Sequence, residues 1–264
     1  MKTWMKWALG AAIVVVLGVV GGPFVYINFI KDDPPDRFAL EDAAQAGSPT
    51  SGSTAGDGGS DVTSVTTPEA TAGTAGSAAR PTSGGAAQAG DADGTWVVDP
   101  ASSAVGYRVV EVLFGQDTEG VGRTSAVTGS MTVAGTQVTE ATFEVDMATL
   151  TSDEDRRDDA FRGRIMDTEN FPTSTFVLTA PIELGSVPAD GAPKTASATG
   201  DLTLRGTTRP VTFDVQAQKD GDVIQVVGST DVVFADYGIP DPSTSGISTQ
   251  DHGLLEFDLR FTRA

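Results

Sequence analysis

The feature that most constrains the fold of this chain is a two-residue alternation of apolar and polar side chains that begins at Trp96. The apolar members recur in short runs: Val105, Tyr107 and Val109; Phe143, Val145 and Met147; Leu202 and Leu204; Val211, Phe213 and Val215; Ile224 and Val226; Leu255, Phe257, Leu259 and Phe261. This period is typical of half-buried β-strands. Glycines separate the runs at hairpin-like intervals, namely Gly129, Gly135, Gly200, Gly206 and Gly221. We therefore predict an antiparallel barrel or sandwich.

One segment departs from the alternation. Residues 151–167, TSDEDRRDDAFRGRIMD, place Ser152 three residues before Asp155, which resembles a capping box. Phe161 and Ile165 then stand four residues apart, the spacing of one helix face. We predict a short helix inserted between strands, with Arg157 and Asp158 paired where the helix meets the barrel.

An almost unbroken apolar stretch occupies residues 8–30, with Lys2 and Lys6 before it and an acidic flank after it. Its length suits a helix crossing a ~30 Å hydrocarbon core, whereas a secretory h-region is usually about 7–15 residues long. We predict a transmembrane helix, with residues 1–7 cytoplasmic and the rest of the chain extracytoplasmic at the cell membrane. The alternative is a cleaved signal peptide, for which only Gly21 and Gly22 are suitably placed.

Residues 31–93 consist mainly of Ala, Gly, Ser, Thr, Pro and Asp and contain very few large apolar side chains. Such a segment cannot bury a core and is predicted to be a disordered linker spanning about 40–45 Å. An O-glycosylated stalk has a similar composition. Residues 94–264 remain for one folded domain.

Composition excludes several kinds of site. The net charge of −19 argues against a nucleic-acid partner, and the absence of cysteine excludes thiolate catalysis, cysteine metal sites and disulfides. The single histidine, His252, follows Asp251 and is interpreted as a turn residue. The acidic run from Asp153 to Asp159 lacks the ligand spacing of a calcium loop. We predict neither a catalytic nor a metal site.

The alternating face is rich in large apolar side chains. Inside an eight-stranded barrel such side chains either fill the interior or leave a cavity for one small ligand, and periodicity does not decide between these outcomes. The residues of this face are Tyr107, Phe143, Phe176, Leu204, Phe213, Ile224 and Phe257.

Several motifs in residues 94–264 resemble those of YceI-like domains. They are GTWVVDPASSAVGYRV at the start, Arg157-Asp158 followed by ENFPTSTFVL, GDLTLRGTTRPV from Gly200, and DYGI from Asp236. The resemblance implies an all-β fold, an eight-stranded antiparallel lipocalin-like barrel with a short inserted helix. It also implies a long apolar cavity for a polyisoprenoid chain, such as a quinone tail or a polyprenyl lipid.

In a barrel of this family the apolar face lines the cavity, and the helix and its exit lie near the mouth. The ligand-binding residues expected are therefore Tyr107, Phe143, Phe161, Ile165, Met166, Phe171, Phe176, Leu204, Phe213, Phe234 and Phe257. The chain departs from the family at Glu111, where many members have histidine, and at Phe234, where arginine is usual. Met131 stands where the second strand usually has phenylalanine.

We therefore expect a single-pass membrane protein, not an enzyme, whose barrel holds an isoprenoid lipid or prenyl quinone for storage, transport or stress protection. The alternative is a ligand-free scaffold or interaction domain with a packed barrel core. The expected partners are the lipid and, through the N-terminal helix, the membrane; a homodimer is left open. No cofactor is expected beyond such a lipid.

Overall fold

The computed structural model of the protein describes residues 34–40, 91–113, 115–186 and 190–264. The predicted transmembrane helix at 8–30 and most of the predicted linker lie outside the described residues. Within the described ranges, no helix has the length and apolar character needed to span a bilayer.

Strands form most of the described domain. They are β1 (Gly94–Val98), β2 (Ala104–Leu113), β3 (Gln116–Thr124), β4 (Val127–Ala134), β5 (Gln137–Asp146), β6 (Thr151–Ser152), β7 (Thr173–Ala180), β8 (Ile182–Glu183), β9 (Lys194–Leu204), β10 (Thr207–Asp220), β11 (Val223–Val233), β12 (Ile247–Thr249) and β13 (His252–Arg263). One short helix, α1 (Asp155–Ala160), continues into a π-helical turn (Phe161–Ile165). Short 3₁₀ turns cover Pro100–Ser102, Met147–Thr149 and Phe234–Tyr237.

The strands close into an eight-stranded antiparallel barrel, as predicted. Consecutive strands β1 and β2 act as one interrupted strand of the wall, as do β3 and β4, and β5 and β6. Accordingly β1 pairs with β4 and β13, whereas β2 pairs with β3 and β13, and β3 pairs with β6. The rest of the wall runs in the order β5, β7, β9, β10, β11, β13.

The glycines have two different roles. Gly135, Gly206 and Gly221 lie in hairpin turns with φ of 60°, 73° and 55°, the left-handed region that favours glycine. Gly129 and Gly200 lie inside β4 and β9, so the prediction that they separate strands is wrong. An aromatic ring of the neighbouring strand occupies the space where their side chains would be.

The inserted helix is confirmed, but its start differs from the prediction. It begins at Asp155 with Glu154 as N-cap, and no side chain caps it. Ser152 instead donates its backbone N–H and its hydroxyl to Asp158 Oδ1, at 2.9 and 2.6 Å. Arg157 is bound to Glu111, at 3.3 Å, and to Asp153 rather than to Asp158. The predicted pair of Arg157 and Asp158 is therefore not formed.

Two pieces of the segment predicted as linker lie against the barrel. In Pro34–Leu40, Leu40 is only 2% exposed. In the second piece, Asp91 to Asp93, the carbonyl of Ala92 accepts a hydrogen bond from the Trp96 indole at 2.8 Å. These two pieces are ordered because they pack against the wall of the barrel. Composition alone did not distinguish them from the polar segment between them.

The barrel has two distinct ends. The helix end is covered by α1 and the 3₁₀ turn Phe234–Tyr237, beneath which Met147, Leu150, Phe161 and Met166 are buried. The far end carries the hairpin turns at Gly135 and Gly221 and the residues from Asp91 to Asp93. There Gly135 donates its N–H to Asp93 Oδ1 at 2.7 Å, and Trp96 and Phe261 are fully buried.

Candidate ligand-binding cavity

A cavity of about 290 Å³ extends along the barrel interior from the helix end to the far end. Its walls are mainly Val, Leu, Ile, Ala, Met and Phe side chains from most strands of the barrel. The polar residues among them are few: Glu111, Arg157, Ser174, Thr175, Lys194, Gln218, Lys219 and Thr230, beside the phenol of Tyr107. The interior is therefore not packed solid, which decides the question that periodicity left open.

The structure brings together nearly all the residues predicted to bind ligand. Those lining the cavity are Tyr107, Phe143, Phe161, Ile165, Met166, Phe176, Leu204, Phe213, Phe234 and Phe257. Phe171 lies elsewhere: its ring covers Gly206, and the Arg205 guanidinium stands 5.6 Å from the ring centroid. Phe171 therefore packs on the turn between β9 and β10 and not on the cavity wall.

Glycines keep the axis of the barrel open. Four inward rings each lie over a glycine of a neighbouring strand, where the missing side chain lets the ring approach the backbone. A bulkier residue at these glycines would push the ring towards the axis. The pairs are Tyr107 with Gly122, Phe143 with Gly129, Phe176 with Gly200 and Phe257 with Gly228, and a Cβ atom on each glycine would lie 2.4–2.6 Å from a ring carbon.

The phenylalanines form a continuous aromatic band around part of the wall. Phe176 stacks on Phe143 with ring centroids 6.4 Å apart and meets Phe213 edge-on at 5.4 Å. Phe213 in turn meets Phe257 edge-on at 5.9 Å. These four rings point inward yet remain half-buried, because they border the cavity and not other side chains. The band offers an apolar surface without directional requirements.

The helix end of the cavity combines an aromatic stack with an ion pair. Tyr107 and Phe161 stack with centroids 5.0 Å apart and an interplanar angle of 9°. Burial raises the pKa of Tyr107, so its phenol stays protonated and can donate a hydrogen bond. Burial lowers the pKa of Arg157, but the carboxylates of Glu111 and Asp153 outweigh that effect and raise it overall. This end can therefore donate and accept hydrogen bonds.

The far end is closed by a buried cation. The Lys219 side chain is 7% exposed, and its Nζ lies 2.6 Å from Asp91 Oδ2 and 2.8 Å from Asp190 Oδ1. Hydrogen bonds to Asp190 and Asp91 raise the pKa of Lys219, and the bond from Lys219 lowers the pKa of Asp91. The ammonium group is thus engaged by exposed carboxylates and is not directed at a ligand.

Sequence reasoning missed the polar wall residues, although the alternation contains them. Glu111 continues the inward series Val105, Tyr107, Val109 along β2. Lys219 likewise continues the inward series of β10. His252 is the first residue of β13, so its interpretation as a turn residue is wrong. It lies outside the cavity lining, and its Nδ1 is 2.8 Å from Asp251 Oδ1; this hydrogen bond lowers the pKa of Asp251.

Comparison with known proteins agrees with this architecture. The family profile described as YceI-like domain matches residues 96–261. No curated protein matches the chain. The solved structure of a polyisoprenoid binding domain from Saccharophagus degradans, implicated in plant cell wall breakdown, is 17% identical with a TM-score of 0.54, over 64% of this chain and 98% of that one.

Two further solved structures are more distant in shape. BcnA of Burkholderia cenocepacia is 23% identical with a TM-score of 0.48, over 62% of this chain and 98% of that one. The YceI protein of Campylobacter jejuni is 12% identical with a TM-score of 0.40, over 52% of this chain and 81% of that one. Identities this low bear on the fold alone, whereas the profile covers more than half of the sequence. By that match, this chain belongs to the YceI-like family.

Proposed function

We propose that this chain is a membrane-tethered, extracytoplasmic binding protein that holds an isoprenoid lipid or prenyl quinone in its barrel. The proposed role is storage, transport or protection of that lipid under stress. The observation that carries the proposal is the apolar cavity with its aromatic band. Burying a prenyl chain there is favourable by roughly 25 cal/mol per Å² of apolar surface, without any hydrogen bond.

The cavity volume limits how much chain it accepts. Its 290 Å³ is about twice the ~150 Å³ that accommodates a benzene ring, which corresponds to roughly a dozen carbon atoms or two to three prenyl units. A longer chain requires wall side chains or the helix end to move. We therefore propose that the cavity holds the first two to three prenyl units, those next to the head group.

The head group is proposed to lie at the helix end. Tyr107, Glu111 and Arg157 line the cavity there and together provide donors and an acceptor. The opposite end has Lys219 already bound by two carboxylates. A quinone or hydroxyl head group beside Arg157 forms hydrogen bonds at the polar helix end. Its apolar tail then packs along the aromatic band. The polyisoprenoid named for the Saccharophagus degradans domain is a ligand of the same class.

Native mass spectrometry of the full chain, released from mild detergent, tests the proposal. A prenyl quinone with two prenyl units is the added probe. Ala196→Phe narrows the cavity from β9 and is expected to reduce bound probe strongly, whereas Ser197→Phe, on the exposed face of the same strand, is expected to leave it unchanged. A protein that stays empty with the probe in excess, or equal binding by the two variants, contradicts the proposal.

The membrane tether is a separate part of the proposal and rests on the apolar stretch at 8–30. Protease added outside intact spheroplasts is expected to cut the chain between residues 41 and 90 and to leave a domain fragment that begins there, since the composition of that segment predicts no packed core. A domain protected until the membrane is lysed contradicts the proposed orientation.

A further inference from the structure

The outer wall of the barrel carries a buried ionic network. On β2, β3 and β13, Arg108 is 5% exposed and Glu256 only 2%. Arg108 Nη1 lies 2.6 Å from Glu119 Oε2, and Arg123 Nη2 lies 2.8 Å from Glu256 Oε1. None of these side chains lines the cavity. Charged groups on the outside of a barrel normally stay in water, so something must cover them.

The covering segment is Pro34–Leu40, which we call the docking segment. Arg108 Nη2 donates to the carbonyl of Pro35 at 2.6 Å, and Arg123 donates to the carbonyl of Asp36. The Arg123 guanidinium also stands 4.0 Å from the centroid of the Phe38 ring. The segment thus binds the network by main-chain acceptors and a cation–π contact, and Leu40 is buried at its end.

The sequence of the docking segment favours this extended contact. Consecutive prolines fix φ near −65° and disfavour the helical conformation of the residue before each, so less conformational entropy is lost on docking. Proline also lacks an N–H group, while its carbonyl remains free to accept from arginine. Pro34-Pro35-Asp36 therefore presents acceptors to a cationic surface in a preformed geometry.

The direction of the segment sets the orientation of the barrel. Pro34 and Pro35 line the same surface pocket as Ser152 and Asp153, which lead into α1 at the helix end. Ile30, where the proposed membrane span ends, precedes Pro34 by four residues. Four Cα–Cα steps of ~3.8 Å limit the separation to about 15 Å. The chain that leaves the proposed membrane span therefore first contacts the outer wall of the barrel beside the helix end.

We infer that the docking segment holds the helix end of the barrel against the bilayer. This inference rests on the proposed tether. It means that the four residues after Ile30, and not the whole polar segment, set the distance between the bilayer and the barrel. Leu40 and Asp91, the described residues on either side of 41–90, both lie on the barrel, so the length of 41–90 does not set the distance between barrel and membrane. The cavity end that carries Tyr107, Glu111 and Arg157 faces the phase in which an isoprenoid lipid dissolves.

Docking itself is tested without a membrane, by thermolysin digestion of the full chain in detergent. This protease cleaves before large apolar residues, so Phe38 is compared with Val62 and Val65 of the same chain. Cleavage before Phe38 is expected to be at least tenfold slower than before Val65. Leu40→Asp is expected to abolish the difference, and the matched change Val62→Asp to preserve it. Equal rates of cleavage before Phe38 and before Val65 in the unmodified chain overturn docking.

Orientation is tested in phosphatidylcholine vesicles that contain an acceptor-labelled lipid. The chain has no cysteine, so a single donor dye is placed at Gly163→Cys on the helix end or at Asp222→Cys on the far end. Energy transfer is expected to be markedly higher from position 163, and Leu40→Asp is expected to make the two positions equal. Equal transfer in the unmodified chain overturns the inferred orientation. Failure of the chain to float with vesicles contradicts the proposed tether, while the digestion result still decides docking.

Discussion

The two ends of the barrel are closed in different ways. At the far end Trp96 is fully buried within the strand ladder and Lys219 is held by two carboxylates. At the helix end a six-residue helix and a π-helical turn cover the cavity. Arg164 ties that turn to the carbonyls of Asp241 and Pro242 at 2.6 and 2.8 Å. An inserted cover can shift without breaking strand pairing, so ligand exchange is expected at the helix end.

The largest loss of stability is expected at the far end. Trp96→Ala removes a side chain with no exposed surface and its hydrogen bond to Ala92, at a cost of about 4 kcal/mol, within the range for large aromatic residues in cores. Urea unfolding of the full chain measures the loss. Trp96→Phe keeps an apolar ring and is expected to lose less. If Trp96→Ala loses less stability than Phe161→Ala at the helix end, the comparison between the two ends is contradicted.

The helix end is expected to control release of ligand. Phe161→Ala removes the ring stacked on Tyr107 and is expected to cost about 3 kcal/mol, because Phe161 is largely buried. It is also expected to release a bound prenyl quinone several-fold faster, as measured by transfer to acceptor vesicles. Phe171→Ala, at the same end but off the cavity wall, is the control and should leave release unchanged. Equal acceleration by both variants contradicts a gate at Phe161.

The ion pair at the helix end is expected to make a smaller contribution. Glu111→Gln removes one carboxylate from Arg157, which keeps Asp153, so the expected cost is about 1–2 kcal/mol. Asp159→Asn is the matched control, because its pair with Arg162 on the same inserted segment is largely exposed and should cost less. Unfolding curves of the two variants are compared. An equal cost for both contradicts a structural role of the partly buried pair of Glu111 and Arg157.

The buried phenol of Tyr107 is expected to make stability depend on pH in strong base. Burial raises the pKa of Tyr107, so in the folded protein this phenol ionises after the tyrosines of the unfolded chain do. Its contribution to stability is complete below the unfolded value of ~10 and is lost as the pH rises above it. The free energy of unfolding should therefore fall less between pH 9.5 and 11 in Tyr107→Phe than in the unmodified protein. An identical fall in both proteins contradicts burial of the phenol.

Much of the barrel follows from alternation alone, because a period of two assigns each side chain to one face. The inward positions of Tyr107 and Phe213 were predictable in this way, and Glu111 was available from the same series. The pairing of rings with glycines was not, since it depends on strand register and not on spacing along the chain. The contacts of Pro34–Leu40 were hidden for a similar reason: their partners lie far along the sequence.

The most direct test of the cavity is a pair of substitutions on adjacent residues of β7. Phe176 points into the cavity and Val177, 43% exposed, points out of the barrel. An unpaired carboxylate in an apolar pocket costs several kcal/mol or takes up a proton, and it repels an apolar ligand. Bound lipid and far-UV circular dichroism are measured on the same samples of Phe176→Asp and Val177→Asp. We predict that Phe176→Asp remains folded but loses bound lipid while Val177→Asp retains it; unfolding of Phe176→Asp, as in a solid core, or undiminished lipid in that variant would contradict the account.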